Sequence, residues 1–284
     1  MKKFIISIDQ GTTSSRAILF NLKGKPVFSS QKEFTQYFPN SGWVEHDPEE
    51  IWSTTKKVLK DVIQKANFIK GKILTIGITN QRETTVLWDK KTGKPVYNAI
   101  VWQDRRQEAY CEKLRKQNKE TLIFNRTGLL IDSYFSGMKI KWVLDNVPKA
   151  KLLMAKKQLL FGTIDSFLIW RLTKGKVNET DAKNASRTMI YNISSNKWDD
   201  RILNLLKIKK HILPEVKDCA DASGSTHSSI TGKSISISGV VGDQQSATIG
   251  QCCFEPGSLK STYGTGAFVL LNTGNKIIYS KNRL

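Results

Sequence analysis

Short apolar segments separated by turns occupy the first part of the chain, and their spacing predicts β-strands. The segment FIISID is apolar enough for a buried strand, and RAILFN and PVFSSQKEF follow it across short turns. Strands that follow one another so closely pair antiparallel, because a parallel pair needs a long crossover. The chain therefore begins with a predicted three-stranded meander, whose first turn lies in IDQGTTSSR.

A helical period follows this meander. Asp47 is a good N-cap, Pro48 suits the first helical position, and Glu50 is spaced to complete a capping box. The apolar residues after them recur at helical spacing: Ile51, Trp52, Val58, Leu59, Val62, Ile63 and Ala66. The pattern predicts a helix that begins at Pro48.

The rest of the chain alternates predicted strands with predicted helices, as in an α/β fold. ILTIGIT indicates a buried strand, and TTVLWD and AIVWQ indicate a hairpin around the turn KKTGKP. Helices are predicted over residues 105–117 and 134–144. LLFG predicts a strand, TIDSFLIWRL a helix, and SISISGVVG a late strand that runs into DQQSATIGQ.

One internal similarity relates the two ends of the chain. ISIDQGTTSSRAILF and LKSTYGTGAFVLL both predict a strand, a turn containing Gly-Thr, and a second strand. Two such hairpins facing each other across a cleft are the arrangement of the actin-like (ribonuclease H-like) ATPase fold. FEPGS, at residues 254–258, is the best boundary, so we expect one domain over 1–253 and the start of a second over 254–284.

Composition narrows the class of protein. The chain has 284 residues, of which 39% are hydrophobic, and its apolar runs fall short of the roughly 20 residues that span a bilayer. Asp9 interrupts the apolar run after MKKF too early for a secretion signal, and the four cysteines lack a C-x-x-C spacing. We expect a cytoplasmic protein without a disulfide framework or a zinc site.

The net charge of +20 raises nucleic acid as an alternative partner. The lysines, however, are scattered along the chain, and RNP-type aromatic patterns, zinc fingers and basic-leucine repeats do not occur. A lysine-rich solvated surface is the simpler interpretation. We therefore expect neither a nucleic-acid partner nor a membrane span.

The first turn carries groups suited to phosphate. Gly11 favours a backbone conformation in which successive N–H groups turn inward. Hydroxyl donors come from Thr12, Thr13, Ser14 and Ser15, and Arg16 adds a fixed positive charge. Asp9 is placed to hold a hydrated Mg²⁺, which accepts only one or two carboxylates. The alternative is a plain β-turn. The segment TYGTG, with Thr265 between glycines, allows the same two interpretations.

Three charged residues follow predicted strands. Arg82 and Glu83 come after ILTIGIT, and a guanidinium beside a carboxylate can bind hydroxyl groups as donor and acceptor, although a solvated charge pair is the alternative. Asp243 comes after SISISGVV, where a carboxylate can take a proton from an alcohol or cap a helix. Aromatic residues such as Trp102 and Tyr134 are more often core than site.

These stretches together resemble the FGGY carbohydrate kinases. The similar segments are DQGTTSSRA, GWVEHDP, GITNQRETT, NAIVWQDRR, YFSGMKIKW, FGTIDSFLIW, NASRTMIYN, SGVVGDQQSA and STYGTGAF, in family order. The resemblance runs from Phe4 to about Gly274, and NQRETT with YFSGMK is typical of the branch that phosphorylates glycerol.

The resemblance implies a reaction, ATP plus glycerol to glycerol 3-phosphate and ADP with Mg²⁺, and a role for each matching residue. Asp243 matches the family's catalytic base. The residues that match the glycerol site are Arg82, Glu83, Trp102, Tyr134, Asp243, Gln244 and Phe268. The residues that match the nucleotide site are Thr12, Thr13, Ser14, Arg16 and Thr265.

Family members continue well past residue 284, through most of a second domain that supplies the adenosine pocket. The resemblance therefore implies a chain truncated at its C-terminus, with only the first hairpin of that domain. Two alternatives to a working kinase stay open: a remnant that binds glycerol without efficient turnover, and one part of a split kinase with a complementing C-terminal fragment. A full-length relative is expected to form a homo-oligomer.

Overall fold

The computed structural model describes residues 2–263 and 266–280. Its strands are β1 (Lys3–Gln10), β2 (Ser14–Asn21), β3 (Pro26–Glu33), β4 (Glu45–His46), β5 (Lys72–Asn80), β6 (Val86–Asp89), β7 (Ala99–Ile100), β8 (Leu159–Gly162), β9 (Glu179–Asp181), β10 (Tyr191–Asn192), β11 (Lys197–Trp198), β12 (Glu215–Lys217), β13 (Ser236–Gly242), β14 (Leu259–Tyr263) and β15 (Ala267–Leu271). Its α-helices are α1 (Pro48–Phe68), α2 (Glu108–Lys116), α3 (Glu120–Thr127), α4 (Ser136–Asn146), α5 (Pro148–Ala155), α6 (Ile164–Leu172), α7 (Ala182–Ser186), α8 (Asp200–Leu206), α9 (Ser228–Thr231) and α10 (Asp243–Gly250). A short 3-10 helix covers Lys210–Ile212.

A five-stranded mixed sheet organises the fold, with strand order β13-β5-β1-β2-β3. β1, β2 and β3 pair antiparallel, as the predicted meander requires. β5 lies parallel to both β1 and β13, so the chain must cross over the sheet between these strands. The predicted α/β architecture is confirmed, and the meander forms one edge of the sheet.

The register of the three parallel strands brings their carboxyl ends together. Gln10 of β1 pairs with Asn80 of β5, and Asn80 pairs with Gly242 of β13. The residues that follow each strand therefore leave the sheet at one place. Ligands of open α/β sheets bind outside the carboxyl ends of the strands. The turn after β1, the QRE segment after β5 and the start of α10 thus share one edge.

Helix α1 begins as the sequence predicts, but one detail of its start is different. Asp47 is the N-cap, its carboxylate accepts the backbone N–H of Glu49, and Pro48 occupies the first turn. The predicted capping box is wrong, because the Glu50 carboxylate accepts instead from the backbone N–H and the hydroxyl of Thr35. Glu50 therefore ties α1 to the segment after β3 rather than to its own N-cap.

The strands β6 and β8 lie between two hydrophobic clusters. Val86 and Trp88 of β6 pack with the central sheet, α1 and α6, whereas Leu87 packs with the cluster around α2 to α5 and α8. Successive strand residues point to opposite faces, so one short ribbon serves both clusters. The predicted hairpin is only partly right. Bridges do join Thr85 to Ile100, but β6 pairs mainly with β8 and β7 with β4.

Arg106 holds several elements of this second region together. Its guanidinium is fully buried and pairs with Glu45 of β4 at 2.8 Å and with Asp104 at 2.7 Å. It also stacks on Trp43 at 3.8 Å and on Trp142 of α4 at 4.6 Å from the ring centres. Paired charge and aromatic contact together allow a cation to be buried here.

The hairpin β14–β15 follows α10 and packs on it. The buried ammonium group of Lys260 on β14 donates to the Gln244 side chain of α10 at 2.8 Å. The hairpin therefore reaches the edge where the parallel strands end. Over the residues that the structure describes, every helix is too short or too polar to cross a membrane.

Candidate active site

A small pocket of about 150 Å³ lies beyond the ends of β1, β5 and β13. It is lined by Thr12, Arg82, Glu83, Trp102, Tyr134, Asp243, Gln244, Thr262, Gly266 and Phe268. The structure therefore brings together all seven residues that matched the glycerol site, along with Thr12 of the nucleotide set. Thr262 and Gly266 of TYGTG also line the pocket, although the sequence analysis had selected Thr265 from that segment.

Glu83 has a strained backbone that aims its side chain into this pocket. Its φ is +61°, a conformation that costs a non-glycine residue energy unless its surroundings hold it. The hydroxyls of Ser136 and Thr85 donate to the Glu83 carbonyl at 2.9 and 3.0 Å. The chain thus turns sharply after β5, so that Arg82 and Glu83 both line the pocket instead of pointing to opposite faces.

Asp243 is the first residue of α10 and faces Arg82. Its Oδ1 lies 3.2 Å from Arg82 Nε and accepts the Gln244 N–H at 2.7 Å. Burial raises the pKa of the Asp243 carboxyl, and the Arg82 guanidinium opposes that rise. A Cβ at position 242 would lie 2.7 Å from Arg82 Cγ, so a larger residue than Gly242 would displace the Arg82 side chain. The N-cap of α10 is Gly242 and not Asp243, so the capping interpretation is wrong: Asp243 is the first residue of the helix and lines the pocket.

Aromatic rings form the apolar side of the pocket. The ring centre of Trp102 lies 5.9 Å from that of Tyr134 and 6.1 Å from that of Phe268, both in edge-to-face geometry. Arg82 lies over Phe268 at 5.8 Å. Burial raises the pKa of Tyr134 to about 12, so its hydroxyl keeps its proton near neutral pH and can donate. Aliphatic carbons would fit between these rings and the charged side.

One hydrogen bond joins the aromatic wall to the first turn. Trp102 Nε1 donates to the Thr12 hydroxyl oxygen at 3.0 Å. The Thr12 O–H must then point away from the indole, because its oxygen already accepts that bond. Thr12 is thus held at the border between the pocket and the turn.

The remaining residues of the first turn lie beside the pocket rather than in it. Gly11 N–H donates to the Ser14 carbonyl at 2.9 Å, which closes the turn that carries Thr12 and Thr13. The Ser14 hydroxyl accepts from Gln31, and Ser15 is buried against Thr54 of α1. The expected role of Gly11 is wrong in its detail. Its φ is outside the left-handed region, and a Cβ there would lie 3.5 Å from the Ser14 carbonyl, an ordinary contact.

Arg16 and Asp9 form an ion pair across β1 and β2, with Arg16 Nη2 2.5 Å from Asp9 Oδ2. Both side chains are partly exposed, at 44% and 28%. One accessible carboxylate beside the turn suits Mg²⁺, which keeps several waters and takes its other ligands from phosphate. Within residues 2–263 and 266–280, no three His, Cys, Asp or Glu side chains cluster into a site that would hold a metal by protein ligands alone. Thr265 lies outside the described residues.

Arg187 is a residue of the site that the sequence did not single out. Its Nε donates to Glu83 Oε1 at 2.7 Å, and its guanidinium lies over Tyr134 at 5.4 Å. Glu83 and Arg187 are 104 residues apart, so neither periodicity nor spacing could relate them. The signal that existed was the segment NASRTMIYN, which resembled the family but carried no assigned residue.

Comparison with known proteins gives a consistent picture. The sequence model of the FGGY family of carbohydrate kinases, N-terminal domain, matches residues 4–250. The chain is 58% identical over 284 residues to a glycerol kinase of Rhizobium meliloti and 56% identical over 285 residues to one of Alkaliphilus metalliredigens. In each case the match covers 100% of this chain and 57% of the relative.

Solved structures agree. The crystal structure of Plasmodium falciparum glycerol kinase with ADP is 38% identical, with a TM-score of 0.95 over 99% of this chain and 56% of that one. A ligand-bound xylulose kinase from Lactobacillus acidophilus is 26% identical, with a TM-score of 0.84 over 94% of this chain and 54% of that one. The chain thus spans about half the length of the relatives that it matches. The extent of the family match, together with these folds, means that the chain belongs to the FGGY family of carbohydrate kinases.

Proposed function

We propose that this chain forms the glycerol-binding half of a kinase that converts ATP and glycerol to ADP and glycerol 3-phosphate. One observation carries the proposal: Arg82, Glu83 and Asp243 meet an aromatic wall in a single small pocket that Thr12 borders. The charged groups can hydrogen-bond the three hydroxyls of glycerol, and the aromatic rings can pack against its carbons. The names of the relatives at 56–58% identity support glycerol as the substrate.

Asp243 is the proposed general base. A glycerol hydroxyl near its carboxylate gives up its proton to Asp243 while the oxygen attacks the γ-phosphorus of ATP and the bond to ADP breaks. The raised pKa of Asp243 makes it a stronger base than an ordinary aspartate, and Arg82 keeps it ionised between turnovers. Glu83 accepts a hydrogen bond from one of the other hydroxyls and Tyr134 donates a hydrogen bond to another. These bonds orient the hydroxyl that reacts.

The proposed nucleotide contacts are Thr12, Thr13, Ser14, Arg16 and Thr265. Hydroxyl groups and a guanidinium beside the pocket can hold phosphate oxygens next to the attacking hydroxyl. Asp9 would hold Mg²⁺ through water, and that ion would supply charge neutralisation on the phosphates when bound. Arg16 would then exchange its partner Asp9 for phosphate oxygen.

The proposed compartment is the cytoplasm, where ATP is available and thiols stay reduced. The four cysteines are free, which fits that environment. Cys111 is buried in the second hydrophobic cluster, and burial raises the pKa of its thiol to about 12. It therefore serves packing rather than chemistry.

Calorimetric titration of this chain with glycerol tests the proposal. The unaltered chain should release heat that saturates, and Arg82→Ala should weaken binding by about tenfold or more, because it removes a charge-assisted donor. Arg201→Ala, at an exposed site on α8, is the control and should bind as the unaltered chain does. An absence of saturable heat in the unaltered chain, or equal binding by Arg82→Ala, would refute the glycerol site.

A further inference from the structure

The segment NASRTMIYN lies against the candidate active site although it does not line the pocket. It contributes most of α7 and the residues after that helix. Asp181 caps α7 by accepting the N–H groups of Lys183 and Asn184, so the position of the helix is fixed at its N-terminus. Its other end presents Arg187 to Glu83.

Asn184 fastens α7 to the end of β5. Its side-chain amide donates to Asn80 Oδ1 at 3.0 Å, and the Asn80 amide donates back to Asn184 Oδ1 at 3.1 Å. Both residues are fully buried, and Asn80 is the last residue of β5. A reciprocal pair of buried amides leaves little freedom at the point where the chain enters the strained turn with Arg82 and Glu83.

Arg187 controls one oxygen of the Glu83 carboxylate. Its Nε donates to Oε1 at 2.7 Å, while its guanidinium stacks on Tyr134 at 5.4 Å and on Phe135 at 5.0 Å. The Glu83 side chain is 1% exposed, so it depends on this partner for its charge to be tolerated.

The second oxygen of Glu83 is left for a ligand. Within the described part of the chain, Oε2 receives no hydrogen bond, whereas Oε1 is occupied by Arg187. A carboxylate held at one oxygen presents the other in a fixed direction. The two hydroxyls that bond the backbone carbonyl of Glu83 fix the main chain from which this side chain extends.

We infer that Arg187 is a positioning residue, which fixes the Glu83 carboxylate so that Oε2 accepts one hydroxyl of the polyol substrate and selects for that hydroxyl. The inference rests on the proposed function and extends it from the pocket wall to the α7 segment. Arg187 does not itself line the pocket, so it acts through Glu83. The Asn80–Asn184 pair supports this arrangement from the opposite side.

The experiment compares glycerol with propane-1,2-diol and propane-1,3-diol, each of which lacks one hydroxyl. The three ligands are titrated calorimetrically into the unaltered chain and into Arg187→Met, Arg187→Lys and Arg126→Met. Arg126 is the matched control, because it also forms a 2.7 Å ion pair, with Asp199, and lies outside the pocket lining. Circular dichroism and the urea midpoint establish that each variant is folded.

The unaltered chain should prefer glycerol to at least one diol by about tenfold, the value of one good hydrogen bond to a charged group. In Arg187→Met that preference should fall to about threefold or less, because Glu83 loses its direction. Arg187→Lys should recover part of it, and Arg126→Met should keep all of it. A purely structural role would weaken the three ligands alike. Unchanged discrimination in Arg187→Met, or equal weakening of all three ligands, overturns the inference.

A failure of the proposed function would look different. The unaltered chain would then show no saturable heat with glycerol, and the inferred selection of a hydroxyl would fall with it. The contact between Arg187 and Glu83 would still be measured by the urea midpoints of Arg187→Met, Glu83→Gln and the double variant. A double variant whose shift equals the sum of the single shifts would also refute the coupling of Arg187 to Glu83.

Discussion

At the scale of single residues, Asp243 carries the chemistry that we propose. Replacement by Asn keeps the shape and the acceptor for the Gln244 N–H but cannot take a proton. Turnover should fall by about 10²–10⁴-fold in Asp243→Asn, while glycerol binding should change much less. Turnover is measured as ADP release in the presence of ATP and glycerol, in the protein that carries this chain. Glycerol binding is measured by calorimetry.

Asp200→Asn is the control for this substitution. Asp200 is the first residue of α8, as Asp243 is of α10, but it is 73% exposed and lies outside the pocket lining. Its replacement should leave ADP release unchanged. Near-normal turnover in Asp243→Asn would assign the base to another group.

Single residues also show which parts of the site could be predicted from the sequence and which could not. Arg82, Glu83 and Asp243 follow predicted strands, which made them candidates, and the family resemblance then assigned them to the site; the sheet register places those strand ends together. The partners of Glu83 could not be found in this way. Arg187 reaches it from 104 residues away, and Glu50 pairs with Thr35 rather than with its own helix start, since tertiary contacts offered each carboxylate a better donor.

At the scale of elements, the buried Arg106 joins β4, α4 and the segment after β7. Arg106→Met would remove the cation and leave Glu45 and Asp104 buried without their main partner. The free energy of unfolding should fall by about 3–5 kcal/mol, as measured by urea denaturation. The loss should be large because the guanidinium is fully buried.

Arg115→Met provides the comparison for Arg106. The Arg115 side chain is 34% exposed, pairs with the partly exposed Glu108 and donates to the Ile131 carbonyl at 2.8 Å, so its loss should cost about 1–2 kcal/mol. If the two variants were equally stable, the Arg106 cluster would contribute no more than a surface ion pair.

Among the elements, long periodic segments were predictable and short ones were not. β1, β2, β3 and α1 follow from alternation, helical period and the Asp47 cap. The ribbon of β6 with β8 was missed in favour of a local hairpin, because a strand of four buried residues carries no information about its partner. The short helix α7 has too few residues to show a period, although it braces the pocket.

At the scale of the whole molecule, stability should depend on pH through His46. Burial lowers its pKa from 6.5 to about 4, and its ring is hydrogen-bonded to Gln36 at 2.7 Å. Below pH 6.5 the unfolded chain takes up a proton at His46 that the folded chain refuses until about pH 4. The contribution of His46 to the free energy of unfolding should therefore fall by about 3 kcal/mol between these values.

Urea denaturation at a series of pH values measures this loss, with His46→Gln as the reference. Gln retains hydrogen bonding but does not titrate, so the slope of stability against pH between 6.5 and 4 should be smaller in the variant. His211→Gln, the same replacement at an exposed histidine, is the matched control. Parallel curves for the unaltered chain and His46→Gln would contradict the prediction.

The pocket draws its walls from six separate stretches of chain, from Thr12 to Phe268. Such a site cannot form from one local segment. Its walls come together only after distant stretches of the chain have folded against each other, which costs the entropy of closing the loops between them. Occupancy of the pocket is therefore a reporter of cooperative folding. A polyol bound there, as we propose, would protect the chain against unfolding by an amount that grows with the logarithm of its concentration.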